Sequence, residues 1–425
     1  MIPGSPSAKR PESDVSERTG LVGVVSLLVL TVVGIALKPP IPLAIPLFLV
    51  GTALPMIIWG LLVEKVHRRE TTGLDFSLRH PRNEVLAISV TKLIGLFATF
   101  GAVGVFYHFT SMYQDPKYVP FFVFLSALSP AIIPLSVIYV YLTTRHMTQP
   151  RDDLWHFGKL ISLEFNALEW PEIKGHLLSW SVKSFFLAFM FSILPFSVAS
   201  ILHVDISKVA SDPAGAILFL VRLSLFFDVC FGTIGYILTL RVLDAHVRSA
   251  NPYLSAWIAA LACYPPFVLT QNGGPLDYRN GTQDWTLWLD SQPVLLVVWG
   301  CGILVLALIY AWATVAFGIR FSNLTHRGII TNGPYRFFKH PAYLSKNIMW
   351  WMAYMPFLTT TTPSDALRNC ILLLLVNGLY FARAKTEEQH LMHDQKYRDY
   401  ALWIRENGLL PRLFRRRLAP NANDA

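Results

Sequence analysis

Ten stretches of the chain are apolar almost throughout, and polar stretches separate them: 21–37, 41–63, 85–107, 119–142, 177–202, 216–240, 253–270, 292–317, 342–358 and 364–382. Each holds roughly 17 to 26 residues, against the ~20 residues of helix that a bilayer core requires. The pattern predicts an all-α, polytopic membrane protein with about ten transmembrane helices. The 342–358 stretch is short and follows Pro341, a residue suited to the first turn of a helix. The polar run Thr359-Thr360-Thr361-Thr362-Pro363 follows it, so this stretch is expected as one half of a shallow hairpin with 364–382.

Composition agrees with that picture. The chain of 425 residues is 53% hydrophobic and 15% charged, whereas soluble domains carry roughly a quarter charged residues. The net charge of +9 does not form one basic domain. Lys and Arg sit mainly in the connecting stretches, which argues against nucleic acid and for membrane topology. Their number alternates high and low at every step from the N-terminus, and cytoplasmic loops carry the positive excess. Both termini and the loops 64–84, 143–176 and 318–341 are therefore expected in the cytoplasm. The four cysteines lie inside apolar runs without metal-ligand spacing, so neither a metal site nor a disulfide is expected. Residues 1–20 are Ser/Pro-rich and polar, and predict a disordered cytoplasmic tail leading into a retained helix. The chain's last residues carry no prenylation box.

Two clusters carry the candidate chemistry. The first runs from Arg320 to Asn347. Asn332-Gly333-Pro334 is a turn signal, and His340-Pro341 breaks the backbone again just before a helix. The free N–H groups of that helix form a cradle for a carboxylate or phosphate. The second follows the last apolar run: Arg383, Lys385, Glu387, Glu388, Leu391, His393, Tyr397 and Tyr400. Helical spacing pairs Arg383 with Glu387 at i,i+4. An acidic pair at the membrane mouth, opposite a basic loop, can hold a zwitterion.

These residues resemble a family. Gly333-Pro334-Tyr335-Arg336, Lys339-His340-Pro341-Ala342-Tyr343, a helical hairpin, then Glu387-Glu388-x-x-Leu391 and Tyr397-x-x-Tyr400 look like the isoprenylcysteine carboxyl methyltransferase and phospholipid methyltransferase superfamily. Lys339 stands where the family usually has Arg, which keeps the charge and loses the bidentate fork. The resemblance divides the chain into a tail at 1–20, an N-terminal transmembrane region of unknown role at 21–290, a methyltransferase-like helical core at 291–412, and a basic, then disordered tail at 413–425. It implies S-adenosylmethionine as cofactor, held by Gly333, Tyr335, Arg336, Lys339, His340, Pro341, Tyr343, Glu387 and Glu388. His340, Tyr343 and Arg383 are the implied catalytic residues. The implied acceptor is lipid-like or lipidated.

Two other classes compete. Sterol-type double-bond reductases have a similar membrane architecture and use NADPH, but their Arg-Asp-x-x-x-Cys-x-x-Lys-Tyr-Gly ending is only partly echoed. Here Thr386-Glu387-Glu388 stands in place of Arg-Asp, and Lys396-Tyr397-Arg398 follows without a Cys. A non-enzymatic transporter or assembly factor rests mainly on Asp228, an acid in the middle of an apolar run, which is expected to be neutral or bonded to a neighbouring helix. Arg79-His80-Pro81 repeats three letters of the motif without the upstream Gly-Pro-Tyr, and is read as coincidence. Glu387 and Glu388 have a bland alternative as a solvated helix face.

Overall fold

The computed structural model describes residues 9–413 apart from 167, 266 and 410. Its helices are α1 (Glu17–Leu37), α2 (Ile41–Leu62), α3 (Arg82–Phe109), α4 (Val119–His146), α5 (Asp153–Ile161), α6 (Trp170–Leu202), α7 (Ile206–Ser211), α8 (Pro213–Ile237), α9 (Leu254–Leu261), α10 (Trp285–Trp288), α11 (Pro293–Val315), α12 (Pro341–Tyr354), α13 (Pro363–Leu391) and α14 (Gln395–Asn407). Strand pairing is confined, among the described residues, to an antiparallel pair, Ser249–Ala250 with Thr325–His326, and one isolated bridge. The protein is an all-α membrane protein, and eight of its described helices are long and apolar enough to cross a bilayer. Val123, Ile133, Leu135 and Ile138 of α4 stand exposed, an apolar outer wall that suits lipid rather than water. Prolines inside α2, α4 and α6 are tolerated where neighbouring groups satisfy the freed carbonyls.

Two of the ten expected spans take another form. The 253–270 stretch contains only α9, eight residues long, or about 12 Å of helix. Its chain nevertheless runs from one end of the bundle to the other. Ala250 pairs with Thr325 at one end, while at the other the Asn280 carbonyl accepts from Asn369 Nδ2 at 2.7 Å and the Gly281 carbonyl from the Thr360 N–H at 2.8 Å. Such irregular backbone persists at membrane depth only where protein covers it. Tyr278 packs here against Trp350 and Tyr354, and the partly buried Leu276 joins the same cluster. The 342–358 stretch forms α12, 14 residues and about 21 Å long. It too links the two ends, because Thr282 donates to the Tyr354 carbonyl. A capping box of Thr362 and Asp365 then starts α13.

The two chain ends meet on one side of the bundle, where Lys396 Nζ lies 2.7 Å from Asp14 Oδ1. Residues 9–20, expected as part of a disordered tail, are ordered there: Val15 is buried with Ala316 and Ile330, and α1 already begins at Glu17. The reason is a partner that composition does not reveal, the loop before α12. Residues 1–8 lie outside the described residues.

Candidate active site

The loop between α11 and α12 is anchored by two buried arginines. Arg327 donates to the carbonyls of Gly235, Leu238, Ala245, Ile319 and Phe321. Arg320 pairs with Asp244 at 2.8 Å, both side chains almost fully buried. Backbones come close where the loop crosses α8, since a Cβ on Gly235 would lie 2.3 Å from the Phe321 carbonyl oxygen. The loop then tightens into one 3-10 turn, Gly333–Arg336. Gly333 opens that turn at φ +54°, a left-handed conformation that glycine adopts without strain. The Tyr400 hydroxyl of α14 closes the turn by donating to the Tyr335 carbonyl at 2.7 Å. His340 follows as the residue capping α12, with Pro341 in the first turn.

Glu387 and Glu388 sit on the last turns of α13 and face this loop. His340 Nε2–H donates to Glu388 Oε1 at 3.0 Å. Lys339 and Lys385 add ammonium groups at 3.5 and 3.3 Å from Glu388 Oε2. The Tyr343 hydroxyl donates to Glu387, while His340 Nδ1 stands 4.0 Å from its other oxygen. The imidazole stacks on the Tyr343 ring, centroids 5.8 Å apart and planes 9° apart. Residues 44 to 48 positions apart thus converge, and neither glutamate lies on a free solvated face. Glu388 has three basic partners; Glu387 has a neutral hydroxyl as its closest.

The expected Arg383–Glu387 pair does not form. Arg383 is 3% exposed and turns inward, over the rings of Tyr264, Tyr343 and Tyr380 at 5.4, 5.2 and 5.2 Å. Rings with this geometry attract a cation that is cut off from water. Its Nη2 donates to Asn323 Oδ1 at 3.1 Å, and its Nε finds no hydrogen-bond partner among the described residues. The Tyr380 ring also lies 5.4 Å from the Lys346 ammonium, which Tyr310 and Trp350 flank at 5.3 and 5.2 Å. Tyr310 in turn donates to Asp228 at 3.0 Å, and Thr314 donates to its other oxygen. Asp228 is therefore bonded to a neighbouring helix, α11. A polar seam runs from Asp228 on α8 to the acidic pair on α13.

Three expected residues point elsewhere. Arg336 pairs with Glu17, and the Gly333 N–H also turns to Glu17, at 3.3 Å. The Tyr335 ring packs on Phe317. Tyr264 and Tyr310 were not singled out from sequence, because each reads there as an ordinary residue of an apolar run, and Asn323 and Lys346 fell inside the Arg320–Asn347 cluster without a role at the site. Pro341 serves the backbone.

The donor set suits a zwitterion with an extra cationic centre. Two carboxylates stand beside the N-terminus of α12, and the buried Tyr397 hydroxyl has no hydrogen-bond partner among the described residues. Burial pushes the Tyr397 phenol well up, and Glu388, Tyr400 and Glu387 push it further, so it keeps its proton as a hydrogen-bond donor.

Residues 294–393 match the model of the Isoprenylcysteine carboxyl methyltransferase (ICMT) family. The resemblance of the motifs is thereby shown for the C-terminal region, and every expected site residue from Gly333 to Glu388 lies inside the match. It supports a membrane methyltransferase. The match spans roughly a quarter of the chain and leaves α1 to α10 outside it. No curated protein and no solved structure matches the chain.

Proposed function

We propose that the protein transfers a methyl group from S-adenosylmethionine to a lipid-like or lipidated acceptor at the cytoplasmic face of its membrane. The observation that carries this reading is the closure of the matched region's two motif halves on one another, His340 on Glu388 and Tyr343 on Glu387. S-adenosylmethionine, when bound, supplies an electrophilic methyl on a sulfonium. Glu387 is the carboxylate with anionic capacity to spare for a ligand's amino group or sulfonium. Lys339 and the first-turn N–H groups of α12 suit its carboxylate. The Tyr397 hydroxyl is left for a further polar contact.

Catalysis in such a displacement is mostly positioning, because attacking atom, methyl and leaving sulfur must align. The inward-facing seam of Lys346, Tyr380 and Arg383 suits the polar head of an amphiphile, whose apolar part remains among the helices. An ionised acceptor needs no base. For a hydroxyl or amine, the unprotonated Nδ1 of His340 stands ready to take the proton, or Glu387 takes it through Tyr343, which accepts the acceptor's proton as it passes its own to the carboxylate. Cytoplasmic placement follows the basic loops, whose excess lies at the end of the bundle holding the site.

Titration of the purified protein with S-adenosylmethionine, its demethylated product and NADPH, each read by calorimetry, tests the proposal. The first two are expected to bind and compete. Binding of NADPH alone would select the reductase class instead.

A further inference from the structure

The N-terminal segment before α1 makes an unusually complete set of contacts with the loop that leads to His340. The Thr331 hydroxyl donates to the Pro11 carbonyl at 2.7 Å, and the Thr331 N–H faces the Ser13 hydroxyl at 3.3 Å. Asp14 and Ile329 exchange two bonds: Asp14 N–H to the Ile329 carbonyl at 2.9 Å, and Ile329 N–H to Asp14 Oδ2 at 2.6 Å. Asn332 Nδ2 donates to the Val15 carbonyl at 2.7 Å. Glu17 then receives Gly333 N–H and Arg336. The segment lies along the loop and is bonded to it at Ile329, Thr331, Asn332, Gly333 and Arg336.

Asp14 is the centre of this contact. Its side chain is only 12% exposed, with Lys396 Nζ of α14 at 2.7 Å and Arg248 Nη1 at 3.3 Å. Its own carbonyl accepts from Arg69 Nη1 at 2.8 Å. One residue therefore joins four separate parts of the chain: the α2–α3 loop, the stretch after α8, the His-Pro loop and α14. Three of these cations or N–H groups would lose their shared anion if it were removed.

We infer that residues 11–17 are a positioning element of the active site, with Asp14 acting through Ile329 and Lys396 to hold the 328–336 loop, and hence His340, in register with Glu388. This rests on the methyltransferase reading for the name of the ligand only. Asp14 touches none of His340, Tyr343, Glu387 or Glu388, so its effect is indirect.

The test uses full-length protein with Asp14→Ala and the isosteric Asp14→Asn, in case the first fails to fold. Two readouts are taken, S-adenosylmethionine affinity and backbone hydrogen exchange over 329–344 in ligand-free protein, with melting temperature as control. Both variants are expected to speed exchange in 329–333 and also at Leu344, whose N–H bonds the His340 carbonyl. Donor affinity is expected to fall at least fivefold in Asp14→Asn, with melting unchanged within a few degrees. Faster exchange confined to 329–333, with donor affinity within twofold of wild type, would overturn the proposal and leave the segment a simple clip. If wild type binds no S-adenosylmethionine, the methyltransferase reading fails. Exchange at Leu344 then decides the positioning role without any ligand: acceleration supports it, and an unchanged rate overturns it.

Discussion

The chain carries the same two residues, His-Pro, behind a basic residue and ahead of a long or functional helix in two places, and the two regions differ in everything beyond that. At Arg79-His80-Pro81 the imidazole bonds the Met147 carbonyl at 2.8 Å, and the helix that follows, α3, begins at Arg82 with its own Glu84 in the first turn. At Lys339-His340-Pro341 the imidazole bonds a carboxylate 48 residues away and stacks on Tyr343. The first histidine closes a loop onto backbone, as many histidines do. The second joins two motif halves and leaves its other ring nitrogen near a second carboxylate. The lesson is that three letters do not make a site; partners of the right charge, delivered by another element, do.

The largest effect is expected where that contrast is sharpest. His340→Ala should weaken S-adenosylmethionine binding by roughly 10- to 100-fold, the equivalent of a charge-assisted hydrogen bond of about 1.5–3 kcal/mol. His80→Ala should leave it within twofold, because its lost contact lies in another loop. Affinities measured on the two variants side by side would undo the distinction if they fell equally.

Next come the two glutamates. Glu388 already has His340, Lys339 and Lys385 as basic partners, whereas Glu387 has Tyr343. The demand of a cationic ligand falls on Glu387, so Glu387→Gln should cost about tenfold in affinity at unchanged melting temperature. Glu388→Gln should cost less in binding and more in stability, since it leaves three donors clustered without an anion. A solvated helix face would lose under about 1 kcal/mol in either case. Equal, negligible effects from both substitutions would return the acidic pair to that status.

A smaller effect is expected from acid. Burial alone would push the Asp14 carboxyl up, but Lys396, the Ile329 N–H and Arg248 outweigh it and hold the group below its ordinary value. A carboxyl depressed in the folded state contributes stability above its unfolded pKa and loses that contribution as pH falls through the folded value. Exchange protection of 329–333 should therefore be constant above about pH 4.5 and decline as pH falls below the ordinary value of 3.8. Protection that fell near pH 6 instead would assign it to a histidine. The smallest effect is expected from Lys339→Arg, which keeps the charge beside Glu388; donor affinity should change by less than about threefold.

Most of the fold was legible because lipid imposes long apolar runs, and the eight long helices follow them. The two departures have physical causes. A run such as 253–270 satisfies the composition rule, yet Pro265 and neighbouring turns break it, so that its helix ends at Leu261. That His340, Tyr343, Glu387 and Glu388 come together was legible because the spacing of their motifs is specific. The inward turn of Arg383 was not, since i,i+4 spacing offers a partner on its own helix, and only the fold reveals the three tyrosines that compete for it. Lys346 and Asp14 were hidden for the same reason: one reads as a helix-end lysine, the other as part of a polar tail.

The central claim is that S-adenosylmethionine binds between the His-Pro loop and the end of α13. Its most direct test is ultraviolet cross-linking of methyl-labelled S-adenosylmethionine to the purified full-length protein, followed by peptide mapping. The account predicts label within 333–347 or 383–400, displaced by the demethylated product and absent from 64–84. Label in the 64–84 loop, or label displaced by NADPH and not by the demethylated product, would contradict it.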